Sequence, residues 1–161
     1  MPNATPFKIA FIGNQTIVDS VMDELHERIR RETKALFATH ESVEVYVTKE
    51  GDFDLLAASA IKNAQEECPN KEHRLILVSP FEEANQGRRM EYYDGIVSLS
   101  ETDARGEKAF KQETLRMAKD CQLLFVWDAG GMFDHIAHCV RAAKKAGVTV
   151  SSLGGRRKGR K

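Results

Sequence analysis

The stretch from Val43 to Ala64 reads VEVYVTKEGDFDLLAASAIKNA, and its hydrophobic period changes halfway along. Val43, Val45 and Val47 alternate with polar or aromatic neighbours, the period of a strand, whereas Phe53, Leu56, Ala57, Ala60, Ile61 and Ala64 recur at helical spacing. Glu50-Gly51-Asp52 is therefore a strand-to-helix turn. Such turns carry the binding sites of open α/β sheets, because they place helix N–H groups and close-approaching glycine backbone at one sheet edge.

The same unit recurs on both sides. Lys8 to Ile12 is a β-rich run closed by Gly13, followed by Val18, Val21, Met22, Leu25, Ile29 and Leu36 at helical spacing. Arg74 to Ser79 (RLILVS) is a nearly uninterrupted apolar strand stopped by Pro80, a composition that implies burial on both faces and hence a parallel sheet covered by helices. Residues 82–94 are polar, have no sustained period and read as an irregular segment or short helix. Gly95 to Leu99 reads as a short fourth strand. Ser100 and Asp103 have capping-box spacing, and Phe110, Thr114, Met117, Ala118 and Cys121 then mark one face of a helix. Leu123 to Trp127 is a buried strand ending in Asp128-Ala129-Gly130-Gly131. Phe133, Ile136, Ala137, Val140 and Ala143 open a last helix, which Gly147 ends before the strand VTVSSL. This order predicts a Rossmann-like three-layer α/β sandwich with a mainly parallel sheet of five or six strands and right-handed crossovers.

Composition sets bounds. The chain has 161 residues, 42% of them hydrophobic, enough for one domain, expected over 1–153. Net charge is zero, but five of the 24 basic residues fall in Arg156 to Lys161; without them 19 basic residues face 24 acidic ones, about −5. An acidic body with a basic, disordered tail over 154–161 is the expectation, and it speaks against a broad nucleic-acid-binding face. Cys68, Cys121 and Cys139 are odd in number and lack C-x-x-C spacing, so a reducing compartment fits better than a disulfide framework. The start, MPNATPFKIAFIG, reads as a first strand and not as a signal peptide. No apolar run approaches the roughly 18 residues of a membrane helix. A cytoplasmic location with no membrane contact follows as an expectation.

Three strand ends carry glycine or small polar residues: Gly13-Asn14, Gly51-Asp52-Phe53-Asp54 and Asp128-Ala129-Gly130-Gly131. If their strands are neighbours in a parallel sheet, all three turns share one edge. Neither a strict dinucleotide fingerprint nor a Walker loop is present, which weakens kinase, GTPase and ordinary dehydrogenase readings. Asp54, Glu107 and Asp128 are the carboxylates positioned to serve N-glycosidic chemistry, with Asp54 and Glu107 the catalytic candidates; Asp52 and Asp54 equally suit a helix amino terminus. His135, His138 and Cys139 fall at helical spacing but supply too few ligands for a metal site, so neither metal nor cofactor is expected. Trp127, ahead of Tyr92 and Tyr93, has the position to stack on a base or to pack beneath a turn.

On the residues Phe11-Ile12-Gly13-Asn14, Gly51-Asp52-Phe53-Asp54 followed by Ala57-Ala58, Pro69 and Pro80-Phe81, the chain resembles the SLOG superfamily of Rossmann-like domains. That superfamily includes the "lonely guy" phosphoribohydrolases and the DNA-processing A proteins. The similarity runs over about residues 7–153 and is greatest to an uncharacterised small bacterial and phage group. Lys111-Gln112-Glu113-Thr114 lacks that group's Arg-Asn pair, Gly130-Gly131 lies earlier than its glycines, and the phosphoribohydrolase signature is absent. The resemblance implies a domain that binds a nucleotide or nucleotide-derived ligand, as a sensor or binding module, through Gly13, Asn14, Gly51, Asp52, Phe53, Asp128, Gly130 and Gly131. An N-ribosyl hydrolase or transferase is the alternative, and a scaffold with a decayed site the second. The resemblance also implies a homo-oligomer.

Overall fold

The structure is a computed structural model and describes residues 5–14, 17–48, 51–70, 72–79, 92–97, 106–128 and 134–155. Its elements run β1 (Phe7–Gly13), α1 (Asp19–Thr39), β2 (Val43–Val47), α2 (Asp52–Glu67), β3 (His73–Val78), β4 (Gly95–Val97), α3 (Gly106–Asp120), β5 (Leu123–Asp128), α4 (Asp134–Lys145) and β6 (Thr149–Gly155). The strands form one six-stranded sheet in the order β4-β3-β2-β1-β5-β6, and every pairing is parallel. The expected α/β three-layer architecture is thus present.

Strand β1 sits in the middle, and its residues alternate between two cores. Ile9 and Phe11 join Val43, Val45, Val47, Leu75, Leu77, Phe125 and Trp127 beneath α1 and α2. Ala10 and Ile12 face the other way, with Leu124, Val126, Met117, Ala118, Ile136, Cys139 and Ala143 of the α3 and α4 layer. This is the continuous apolar composition that a parallel strand covered on both sides requires. Phe11 and Phe125 stack across the β1–β5 pair at 4.8 Å between ring centres.

Helix α1 buries Leu25, Ile29, Thr33 and Phe37, a stripe of every fourth residue. Helix α2 presents Ala57, Ala58, Ala60 and Ala64 with Phe53 and Ile61, and the small side chains let it lie close to α1 and the sheet. Glu67 at the end of α2 meets both Arg30 (2.6 Å) and Lys34 (2.8 Å) of α1, a surface cluster that fixes orientation more than it stabilises.

Helix α4 ends as its sequence demands. Gly147 has φ +89°, its N–H donates to the Lys144 carbonyl, and Val148 N–H reaches back to Ala143, the two bonds of a Schellman motif. No side chain would be crowded there, since nothing lies within 4 Å of a Cβ built on Gly147. Backbone strain alone sets the cost. Gly147→Ala should lower the unfolding free energy by about 1 kcal/mol in urea denaturation; an unchanged midpoint would mean that the turn relaxes freely.

One strand runs further than the sequence pattern predicts. Strand β6 continues through Gly155, two residues past the VTVSSL run, because Gly155 pairs with Asp128 of β5 beyond a bulge. Arg156 to Lys161, residues 82–91 and Ser100 to Asp103 lie outside the described residues, so the tail, most of the irregular segment and the capping box do too. No described helix is long and apolar enough to cross a membrane.

Candidate functional site

The strand order β2-β1-β5 puts the carboxyl ends of the three strands that lead into the small-residue turns side by side at one edge of the sheet. The chain leaves β1 toward β2 on one side, while β5 pairs on the other, so the edge between β1 and β5 is a topological switch point, where the covering helices diverge and a crevice opens.

The first two turns are physically locked. A Cβ built on Gly13 would lie 2.7 Å from both Cδ atoms of Phe53, so the glycine is required by the aromatic ring pressed against it. Asp52 Oδ2 accepts a 3.2 Å hydrogen bond from the Ile17 N–H, tying the start of α2 to the entry of α1. Neither helix has a side-chain cap, since Val18 and Gly51 occupy the N-cap positions. Their first-turn N–H groups therefore meet this edge without a capping side chain of their own.

Below the edge lies a cleft of about 30 Å³ lined by Ile12, Gly13, Thr48, Asp54, Thr114, His135, Ile136 and Cys139. Asp54 is its charged member, 6% exposed, and its Oδ2 accepts the Thr48 hydroxyl at 2.7 Å. That bond turns a helix-terminal carboxylate inward and fixes its direction, because Thr48 is itself buried at the end of β2. Opposite, His135 Nε2 lies 3.7 Å from Cys139 Sγ on α4. Burial, reinforced by the charges of Lys111 and His138, holds the His135 imidazole below its ordinary value of 6.5. It is neutral at pH 7.

The sign of its effect on stability follows. The unfolded chain takes up this proton first as pH falls, so the contribution of His135 is fully present above about pH 6.5 and is lost below it. The melting temperature should fall between pH 7 and pH 5, and fall less in His135→Gln. Equal losses in both proteins would place the acid sensitivity elsewhere.

Gly13, Asn14 and Asp128 stand at the switch point, Asn14 buried and Asp128 half-buried. Gly51 is half-buried and Asp52 exposed at the next turn. Phe53 belongs to the same turn but has no exposed surface, and its ring packs under Gly13. Gly130 and Gly131 lie outside the described residues, as does the side chain of Glu107 on α3. Of the helical triplet, Cys139 is fully buried, His135 half-buried and His138 exposed, so the three do not converge. Among the described residues no cluster of three or more His, Cys, Asp or Glu is arranged to hold a metal. Trp127 is buried beneath the α1 layer, Tyr93 is buried near β4, and Tyr92 is exposed with its ring 5.3 Å from Lys62 Nζ.

Thr48, Thr114, His135, Ile136 and Cys139 are additions to the turns read from sequence. Glu113, beside Thr114, is a fully buried carboxylate on α3. Its spacing of four from Met117 and again from Cys121 was the available signal, set against a charged local composition.

No protein-family model and no curated protein matches the sequence. The fold does have a solved counterpart, in a structure described as giving insight into the single-stranded DNA binding mode of DNA processing protein A from Helicobacter pylori. The likeness covers 96% of this chain and 68% of that one, with a TM-score of 0.64 at 16% sequence identity. The chain thus shares the Rossmann-like fold of a SLOG-superfamily protein.

Proposed function

We propose that the protein is a binding module for a nucleotide or nucleotide-derived ligand, held at the carboxyl edge of the sheet over the β1–β5 switch point. The observation that supports this reading is the cleft lined by Gly13, Thr48 and Asp54, with Asp54 oriented by Thr48, beside the adjacent ends of β1 and β5 that carry Asn14 and Asp128. Charge decides the pose. Asp52, Asp54 and Asp128 make the edge acidic, so a ribose diol or a base amine suits Asp54, while any phosphates belong away from the Asp52–Asp54 turn, on the Gly13-Asn14 side. Gly51, Gly130 and Gly131 belong to the same proposed lining by their place in the βα turns.

Isothermal titration against adenosine monophosphate, ADP-ribose and a short oligothymidylate tests the reading. Saturable binding of the free nucleotides supports it. Binding of the oligonucleotide alone would instead align the protein with the single-stranded DNA binding of its structural counterpart, and silence toward all three would remove the proposal.

The burial of Asp54 in the cleft favours one second reading, an N-ribosyl hydrolase or transferase. A carboxylate with restricted solvent access is suited to face an oxocarbenium-like centre. Release of free base from nucleoside monophosphates, abolished by Asp54→Asn, is the result this reading requires.

A further inference from the structure

The polar side chains of the cleft come from four places in the chain: Thr48 follows β2, Asp54 lies in α2, Thr114 in α3 and His135 in the first turn of α4. The cleft therefore joins the two helical layers across the end of β1, with Ile12 and Ile136 as its apolar walls. A volume of about 30 Å³ admits a group the size of a water molecule or slightly larger, and excludes a base or a phosphoryl group. The chemistry of the lining is mixed. A carboxylate only accepts, and Asp54 retains lone pairs for a further donor while Thr48 donates to Oδ2 at 2.7 Å. The half-buried His135 ring, neutral at pH 7, offers one donor and one acceptor, and Thr114 adds a hydroxyl. The group that complements such a lining donates and accepts at one atom, as a hydroxyl does. A phosphate oxygen only accepts and is repelled by the Asp54 charge, and an amine only donates.

Resting on the nucleotide-binding reading above, we propose that the cleft is a ribose-selecting pocket: one hydroxyl of the ribose diol enters it, donates to Asp54 and is met from the other helical layer by the His135 ring and the Thr114 hydroxyl. His135 and Thr114 are then the residues that determine specificity for ribonucleotides over their deoxy analogues. A site built to hydrogen-bond a hydroxyl rejects an analogue that lacks it more strongly than size alone allows, because those bonds are forfeited away from water. The rest of the nucleotide stays outside the cleft, at the sheet edge.

Calorimetry on the full chain compares adenosine monophosphate with its 2′-deoxy and 3′-deoxy analogues and with inosine monophosphate. Adenosine and inosine monophosphates should bind alike, and at least one deoxy analogue should bind about tenfold or more weakly. Thr114→Val, which keeps the shape and removes the hydroxyl, and His135→Leu, which removes the ring nitrogens, should each weaken adenosine monophosphate while leaving that deoxy analogue nearly unaffected. The ratio between the two ligands then collapses, whereas a merely structural role would weaken both alike; either variant suffices, provided its melting temperature shows that it is folded. Equal affinity for all four nucleotides overturns the pocket and leaves the nucleotide reading standing. So does discrimination against inosine monophosphate alone, which would put a base amine in the cleft. A ratio that persists in both variants overturns the roles of His135 and Thr114, and silence toward all four nucleotides removes the pocket together with the reading on which it rests.

Discussion

Phe53→Ala is expected to destabilise the protein by about 3–5 kcal/mol, the range for deleting a fully buried aromatic side chain. The ring has no exposed surface and belongs to the core beneath α1 and α2, so its loss leaves a void walled by residues from several elements. Gly13→Ala should cost about 1–3 kcal/mol for the opposite reason, overpacking: the new methyl group meets the Phe53 ring at Cδ1 and Cδ2, both 2.7 Å away, and neither partner has free space to yield into. The pair is diagnostic together. Once the ring is gone, the added methyl group no longer collides, so the double variant should be about as stable as Phe53→Ala alone, and the coupling should approach the whole cost of Gly13→Ala. Urea unfolding of the four proteins measures it. Simple additivity would mean that the two βα turns are not in contact and that the glycine serves some other need.

Asp54→Ala should weaken binding of adenosine monophosphate or ADP-ribose by about a hundredfold, the loss expected when a charged acceptor of two ribose hydroxyls is removed. Asp54→Asn retains shape and one acceptor and should lose about tenfold. The alanine variant also strands the Thr48 hydroxyl, which is buried and donates to the carboxylate at 2.7 Å, so unfolding free energy should fall by about 1–3 kcal/mol. Asp54→Ala/Thr48→Val separates the two effects: it removes the stranded hydroxyl, and any remaining loss of affinity belongs to the ligand. Calorimetry and urea unfolding on the same preparations read both quantities. Unchanged affinity in Asp54→Ala would take the carboxylate out of the proposed site.

The elements were legible because both periods are strong where the core is deep. Val43 to Val47 alternates cleanly because Val43, Val45 and Val47 face the core beneath α1 and α2 while Glu44 and Tyr46 on the other face are only half-buried, and the every-fourth pattern of α1 survives a highly charged surface. Gly147 announced its own positive φ. Strand order was not written in any local pattern: β1 pairs with β5 through contacts such as Phe11 against Phe125, and no window of sequence contains both. The cleft was legible only in part for the same reason. Asp54 could be picked out as a helix-terminal carboxylate, but the inward turn of that side chain depends on Thr48, six residues earlier on another element. Phe53 stood out as part of the same motif, and the structure shows why the motif needs it: the aromatic ring and Gly13 form a contact between turns. Glu113 escaped notice because a charged residue in a charged helix reads as solvated, and only the path of α3 across the sheet encloses it.

The central place of β1 has a consequence for how the chain acquires its structure. Residues 7–78 contain three strands that can assemble as β3-β2-β1 while the rest is still being synthesised, yet the other edge of β1 waits for a partner more than a hundred residues away, as in the Lys8–Gln122 contact with its separation of 114. Until β5 arrives, Phe7 to Gly13 presents an open, apolar strand edge, the kind of surface that recruits strands from other molecules. Closure is therefore a late and slow event dominated by long-range pairing. Nascent chains halted before residue 123 should depend on chaperones, and release from them should coincide with the synthesis of β5.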